Sequence, residues 1–270
     1  MNKIMISVAP VDAADTSYNP RAVADDVIEC YKLGASMVHL HVRDEHGRLT
    51  PDMSLLQETV KYIKEACDIV IEISTGGVSE LTIEERCQPC YASYVEATSL
   101  NVGSVNLGDA VYKNPIKDVE FCVNEIKKNN KRPEIEVFEL GMVHTVKELD
   151  KKFNFVKPIC FALVFGHGGE LPATKQALNH MKDFLYENFN TDEVRWGYTQ
   201  AHRKDWEMMS YALDQGASSL RVGFEDSHNI SSNKIAKNNA EIVAEAVSLV
   251  KNKGLEIMSP SEVREMMKIS

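Results

Sequence analysis

Short apolar runs rich in β-branched residues alternate with longer amphipathic stretches along the whole chain. The short runs predict strands at 3–9, 36–42, 69–74, 94–100, 134–139, 159–165, 194–199 and 218–224. The stretches between them carry apolar residues at helical spacing. They predict helices at 20–33, 53–66, 80–88, 116–129, 143–152, 173–188, 203–215, 234–252 and 260–268. The punctuation agrees. Asn19 followed by Pro20 is an N-cap with proline at the first helical position, and Gly34 and Gly216 stand where a helix should end. No linker-like stretch divides the sequence. Eight strand–helix units in succession predict a closed (β/α)8 TIM barrel rather than an open doubly wound sheet. The expectation is one domain over residues 1–270 with additional C-terminal helices.

Two strand approaches echo each other. Leu33-Gly34-Ala35-Ser36 leads into the second strand and Gln215-Gly216-Ala217-Ser218 into the eighth. Superposing them sets His39 on Arg221, His41 on Gly223 and Arg43 on Glu225. With side chains alternating at period two, one parity then carries His39, His41, Arg221 and Glu225 together. In a barrel that parity is the interior, and active groups gather at the C-terminal strand ends. Two imidazoles on one buried face are costly unless each finds a partner, and a metal ion partners both. Glu225 supplies a third ligand. Two His and one carboxylate leave a coordination position open. Zn2+ suits that set, and Fe2+ uses it too.

At 270 residues and 44% hydrophobic, the chain can bury a large core. Its net charge of −10 argues against a general nucleic-acid or membrane-surface binder, so any site for an anion must gather its cations locally. No leader-like segment opens the chain, and no apolar run approaches the roughly 18 residues of a membrane span. A soluble, cytoplasmic protein is expected. The scattered Cys30, Cys67, Cys87, Cys90, Cys122 and Cys160 suit a reducing compartment, and Cys87 and Cys90, though spaced CxxC, have no second pair or nearby His to complete a zinc site.

The loops after the strands hold further candidates. Arg221 either tunes or clamps a carboxylate or forms a structural salt bridge, and Asp226 is a general base if it lies beside a metal-held substrate. Ser74-Thr75-Gly76-Gly77 combines hydroxyl donors with glycines that let a ligand approach the backbone. Asn101 to Asn106 is similarly polar. Gly166-His167-Gly168-Gly169 either hosts a phosphate or simply turns the chain. His202-Arg203-Lys204, after the seventh strand, either binds phosphate or starts a helix. His46, His180 and His228 join no constellation. A rival reading is an amidohydrolase-type hydrolase with His144, His167 and Asp226 as later ligands. Against it, HxH lies on the second strand, where that pattern uses the first. A non-catalytic, metal-binding metabolite sensor is a third reading.

Taken together, HLHVR at 39–43, STGG at 74–77, PEIEVFELGM at 133–142 and RVGFED at 221–226 make the chain resemble the β-keto acid cleavage enzyme family. The resemblance runs from Ile6-Ser7-Val8-Ala9 to Pro260-Ser261-Glu262-Val263-Arg264. It implies a zinc-dependent barrel acyltransferase that condenses a β-keto acid with acetyl-CoA and releases acetoacetate and a new acyl-CoA. It also implies a homo-oligomer, a tetramer by family habit. Carried over by position, the resemblance makes His39, His41 and Glu225 the zinc ligands, Asp226 the base and Arg221 its partner. Ser74 holds substrate carboxylate and developing charge. Ser99 and Arg203 join the substrate or CoA site by the same carry-over, and Thr75, Gly76 and Asn101 are substrate-binding candidates from their loops. The chain departs from the family after the first strand. There Ala14 aligns with an acid that can pair with a substrate amino group, which implies weak preference for aminated substrates unless Asp12 or Asp15 substitutes.

Overall fold

Alternation along each strand sorts the chain into two cores. In strand β1 (Lys3–Val8), Ile4, Ile6 and Val8 face an outer apolar layer, while Met5 and Ser7 share the opposite parity. The same holds in β2 (Met37–Leu40) and β3 (Val70–Ser74), where Val38, Leu40, Ile71 and Ile73 pack outward. The computed structural model describes residues 3–270 and continues with β4 (Ala97–Asn101), β5 (Arg132–Val137), β6 (Ile159–Phe165), β7 (Val194–Gln200) and β8 (Ser219–Val222). Every neighbouring pair is parallel. β8 returns to β1 with Met5 opposite Ser219 and Val8 opposite Val222, so the sheet closes into a (β/α)8 barrel as expected.

The helices are α1 (Pro20–Leu33), α2 (Ser54–Ala66), α3 (Ile83–Arg86), α4 (Ile116–Lys128), α5 (Leu140–Phe153), α6 (Lys175–Asn188), α7 (Glu207–Asp214), α8 (Asn239–Asn252) and α9 (Pro260–Met267). Asn19 caps α1 through its side chain, and Gly34 ends it at φ 121°. Several boundaries differ from the expectation. The predicted helix 80–88 shrinks to α3, because Pro89 cannot continue it and instead opens a 3₁₀ turn at Gln88–Tyr91. The predicted helix 234–252 starts only at Asn239, and a small hairpin of Asn229–Ser231 with Lys234–Ile235 precedes it. A second hairpin, Val105–Leu107 with Ala110–Tyr112, occupies the polar loop after β4.

The barrel interior changes character along its axis. At the N-terminal end Met5, Met37, Val70, Ala97 and Cys160 form an apolar plug, closed from below by Met258, Val263 and Met267 of the C-terminal segment. Two residues further along the strands stand Ser7, His39, Glu72 and Ser99, all buried. The floor is thus dry and apolar while the C-terminal half is polar, which confines any chemistry to one end. Among the described residues no helix is long and apolar enough to cross a membrane, and all six cysteines are free.

Candidate active site and metal centre

His39 is the last inward-facing residue of β2, and His41 follows just beyond the strand end. Their Nε2 atoms stand 3.4 Å apart. Glu225 Oε1 lies 3.4 Å from His41 Nε2 and 3.7 Å from His39 Nε2. Donors about 2.0–2.1 Å from a tetrahedral zinc stand about 3.3–3.4 Å from one another, so two of the three spacings match such an ion and the third exceeds it by a few tenths of an ångström. They are the one group of three or more His, Cys, Asp or Glu side chains among the described residues that could hold a metal.

Glu225 reaches the imidazoles by a different route from the one its parity implied. β8 ends at Val222, and the chain turns at Gly223, φ 136°. A Cβ there would stand 2.2 Å from the Ala9 carbonyl, so only glycine fits. The Glu225 N–H then donates to the Ala9 carbonyl at 3.1 Å, which fixes the turn against the end of β1.

A buried polar shell orients the triad. Glu72 Oε1 lies 2.6 Å from His39 Nδ1, which sets the ring so that Nε2 faces the other donors. Burial lowers the His39 pKa to about 4 and keeps the imidazole neutral, as a ligand must be. Burial, reinforced by the charge of Glu136, pushes Glu72 up to about 8. Burial and then the charge of Glu72 raise Glu134 well above the usual carboxylate range. Arg221 donates to both Asp226 oxygens, at 3.1 and 2.7 Å, and to Glu136 at 3.0 Å. Burial alone would weaken its charge, but Asp226, Glu225 and Glu136 together outweigh that and hold it ionised. Burial would likewise protonate Glu225. The adjacent His41, His39 and Arg221 reverse this and hold its carboxyl well below the usual range.

The triad opens into a cavity of about 690 Å3 whose walls include Ser74, Glu136, Arg221, Tyr112, Phe138 and Leu49. Ser74 faces it directly, and its Oγ accepts from the Gly76 N–H at 3.1 Å and from Ser99 Oγ at 3.2 Å. Thr75 donates to the Ser99 carbonyl at 2.7 Å, and Asn101 accepts the Gly103 N–H at 3.0 Å, so Thr75, Ser99 and Asn101 brace the wall from behind. Gly76 admits the Tyr112 hydroxyl, which would stand 1.4 Å from a Cβ there. Arg203 is not brought to the cavity. It is 1% exposed, its guanidinium lies 3.8 Å over the Trp206 ring, and it donates to the Asn229 carbonyl at 2.7 Å. Asp12 is engaged by His228 at 2.6 Å and by the Ala14 N–H at 2.8 Å, whereas Ala14 and Asp15 line the cavity. His46 and His167, one unassigned and one linked to a phosphate loop or a hydrolase, also line it, while His144 is exposed on α5 beside Glu148.

The sequence alone assigned no role to Glu72, Glu134, Glu136 or Arg43. The signal was present. Glu72 stands alone between Ile71 and Ile73 in a strand buried on both faces, and Arg43 continues the parity of His39 and His41.

A closed (β/α)8 barrel with two imidazoles and a carboxylate converging at the C-terminal end of its strands defines the class, a barrel enzyme with a candidate divalent-metal centre at its mouth. More particularly, the chain belongs to the β-keto acid cleavage enzyme family, whose sequence model matches residues 3–269. It is 34% identical to the 3-keto-5-aminohexanoate cleavage enzyme of Acetoanaerobium sticklandii over 279 residues, covering 100% of both chains. It is 30% identical to the 3,5-dioxohexanoate:acetyl-CoA acetone transferase of Paraburkholderia graminis, covering 99% of this chain and 96% of the relative. Among solved structures, the complex of ObcA with oxaloacetate shares the fold at a TM-score of 0.76 and 17% identity, covering 95% of this chain and 68% of the other. The hydrolase reading is not favoured by these matches.

Proposed function

We propose that the protein condenses a β-keto acid with acetyl-CoA and releases acetoacetate and a new acyl-CoA, using zinc held by His39, His41 and Glu225. The observation that carries this reading is the convergence of those three donors at the cavity of a family member, where Arg221 lines the wall and holds the buried Asp226. The acetyl-CoA named for one of the relatives supports the choice of co-substrate. When bound, the ion supplies Lewis-acid polarisation of the substrate's keto and carboxylate oxygens, which acidifies the carbon between them.

The chain's own groups do the rest. Asp226 accepts the proton of that carbon. Both its oxygens already accept from Arg221, but a carboxylate has about four acceptor directions, so capacity remains. Arg221 keeps the base in place beforehand. The resulting carbon nucleophile attacks the acetyl carbonyl, and Ser74 donates to the charge that develops. That attack expels the CoA thiolate, which adds to the substrate's original acyl carbonyl; cleavage of the adjoining carbon–carbon bond leaves that acyl group on CoA and frees the acetoacetate carbanion, which takes the proton back from Asp226. The test is to incubate the zinc-loaded protein with acetyl-CoA and a panel of β-keto acids, reading acyl-CoA masses and acetoacetate together. Formation of both in equal amounts supports the reading. Hydrolysis without acyl-CoA formation would replace it with the hydrolase.

A further inference from the structure

One cation of the cavity has no counter-ion. Arg43 lines the wall two residues beyond His41, toward the mouth, and is 5% exposed. Its Nη1 donates to the Gly47 carbonyl at 2.6 Å, while its Nε is buried without a partner. A guanidinium cannot shed its charge to escape burial, so its unpartnered Nε–H favours an acceptor of opposite sign. No carboxylate of the described residues pairs with it. The nearby acids are engaged elsewhere, Asp44 with Arg48 at 2.8 Å and Asp12 with His228 at 2.6 Å, and the rim residue Asp15 is exposed. Arg221 shows the contrast, since it carries Asp226 at 2.7 Å and Glu136 at 3.0 Å.

Resting on the β-keto acid reading above, we infer that Arg43 binds a second anionic group at the far end of the acyl chain. The preferred substrates are then short β-keto acids that end in a carboxylate or a similar anion. The placement argues for the far end rather than the common carboxylate. The keto acid end must meet Ser74 and the three donor atoms on the cavity floor. Arg43 stands higher, no more than about 7 Å of backbone beyond His41. Ala14, Asp15 and His46 line the same cavity, so an ammonium group there would meet a methyl group at Ala14 and, as an acid, the exposed and solvated Asp15. Leu49 and Phe138 supply apolar wall for the few carbons between the two anions.

The decisive experiment compares three β-keto acids of equal chain length at saturating acetyl-CoA, ending in a carboxylate, its methyl ester and an ammonium group. For the wild type, kcat/KM should favour the carboxylate over the ester by about tenfold or more, with the ammonium substrate poorest. Arg43→Gln should bring the carboxylate-to-ester ratio close to one, and Arg43→Lys should restore part of it. A wild-type ratio at or below one overturns the inference while leaving the condensation reading intact. So does a variant that slows all three substrates equally, since Arg43 would then hold only the common carboxylate or the loop. A rise confined to the KM for acetyl-CoA would assign the anion to the CoA phosphates and also overturn it. Absence of acyl-CoA from every β-keto acid would overturn the function itself. If Arg43→Gln fails to fold, the wild-type ratio still decides.

Discussion

Replacing Glu72 by Gln isolates the charge that orients the candidate metal centre. In an unfolded chain glutamate ionises near 4.5, whereas burial and the charge of Glu136 raise Glu72 to about 8 in the fold. Between those values the native state holds more protons, so this group makes stability fall as pH rises. His39 acts in the opposite sense. Its pKa falls from 6.5 to about 4, the native state binds fewer protons between them, and its stability contribution rises with pH through that window and is complete above it. Below pH 6.5 the two trends offset each other. From pH 6.5 to 8 the His39 trend is spent, and the Glu72 share, roughly 1.5 pH units, corresponds to about 2 kcal/mol. Glutamine keeps an oxygen to accept from His39 Nδ1 but has no charge to titrate. Thermal melts of metal-free protein at pH 6.5 and pH 8 should show the wild type losing a few degrees more than Glu72→Gln over that interval. Zinc affinity, measured by chelator competition above pH 8 where Glu72 is ionised, should fall about 10-fold or more, because a neutral amide is a poorer partner for a ligating imidazole. Parallel melting shifts in the two proteins would refute the titration argument, and unchanged zinc affinity would refute the orienting role.

Three further outcomes are expected. His41→Ala should lose bound zinc and acyl-CoA formation together, as read by metal analysis and turnover, and retained metal would remove His41 from the ligand set. Asp226→Asn should keep its zinc but lose about two to four orders of magnitude in kcat, as for a missing general base, and an unchanged rate would reject that role. Ala14→Glu should raise kcat/KM selectively for an aminated β-keto acid over an unaminated one of equal length. Preference for the aminated substrate already in the wild type would contradict the pocket assignment.

The barrel was legible because each strand carries its own alternation and each helix its own caps. Val38 and Leu40 must face outward if Met37 and His39 face inward, whatever the rest of the chain does. The two hairpins in the loops after β4 and β8 were not legible, since strands of two or three residues are too short to show a period. Residue types marked the metal centre well. They marked the anion sites poorly, because a guanidinium looks alike in sequence whether it faces a ligand or an aromatic ring. Arg203 was expected to meet an anion and stacks on Trp206, and only the approach of the Asn229–Ile230 backbone decides this. Arg43, named only in the strand echo and the HLHVR run, had no role assigned and lines the cavity.

Glu225 and Asp226 explain why a wrong local path still led to the right ligand. On an uninterrupted strand, consecutive side chains face opposite sides of the sheet, so one of these acids would leave the barrel. Parity alone therefore could not deliver both to one site. The turn at Gly223 removes the conflict. The Asp226 and Ser227 N–H groups both donate to the Gly223 carbonyl, at 3.1 and 2.9 Å, and this coils the segment tightly over the end of β8. Glu225 then faces His39 and His41 while Asp226 folds back onto Arg221, four and five residues after that arginine. Arg221 is still on the strand and inside the barrel, so it faces both acids and steadies them from one position. A strand that ends one residue before its glycine thus converts two neighbours in sequence into a ligand and a base candidate with separate partners.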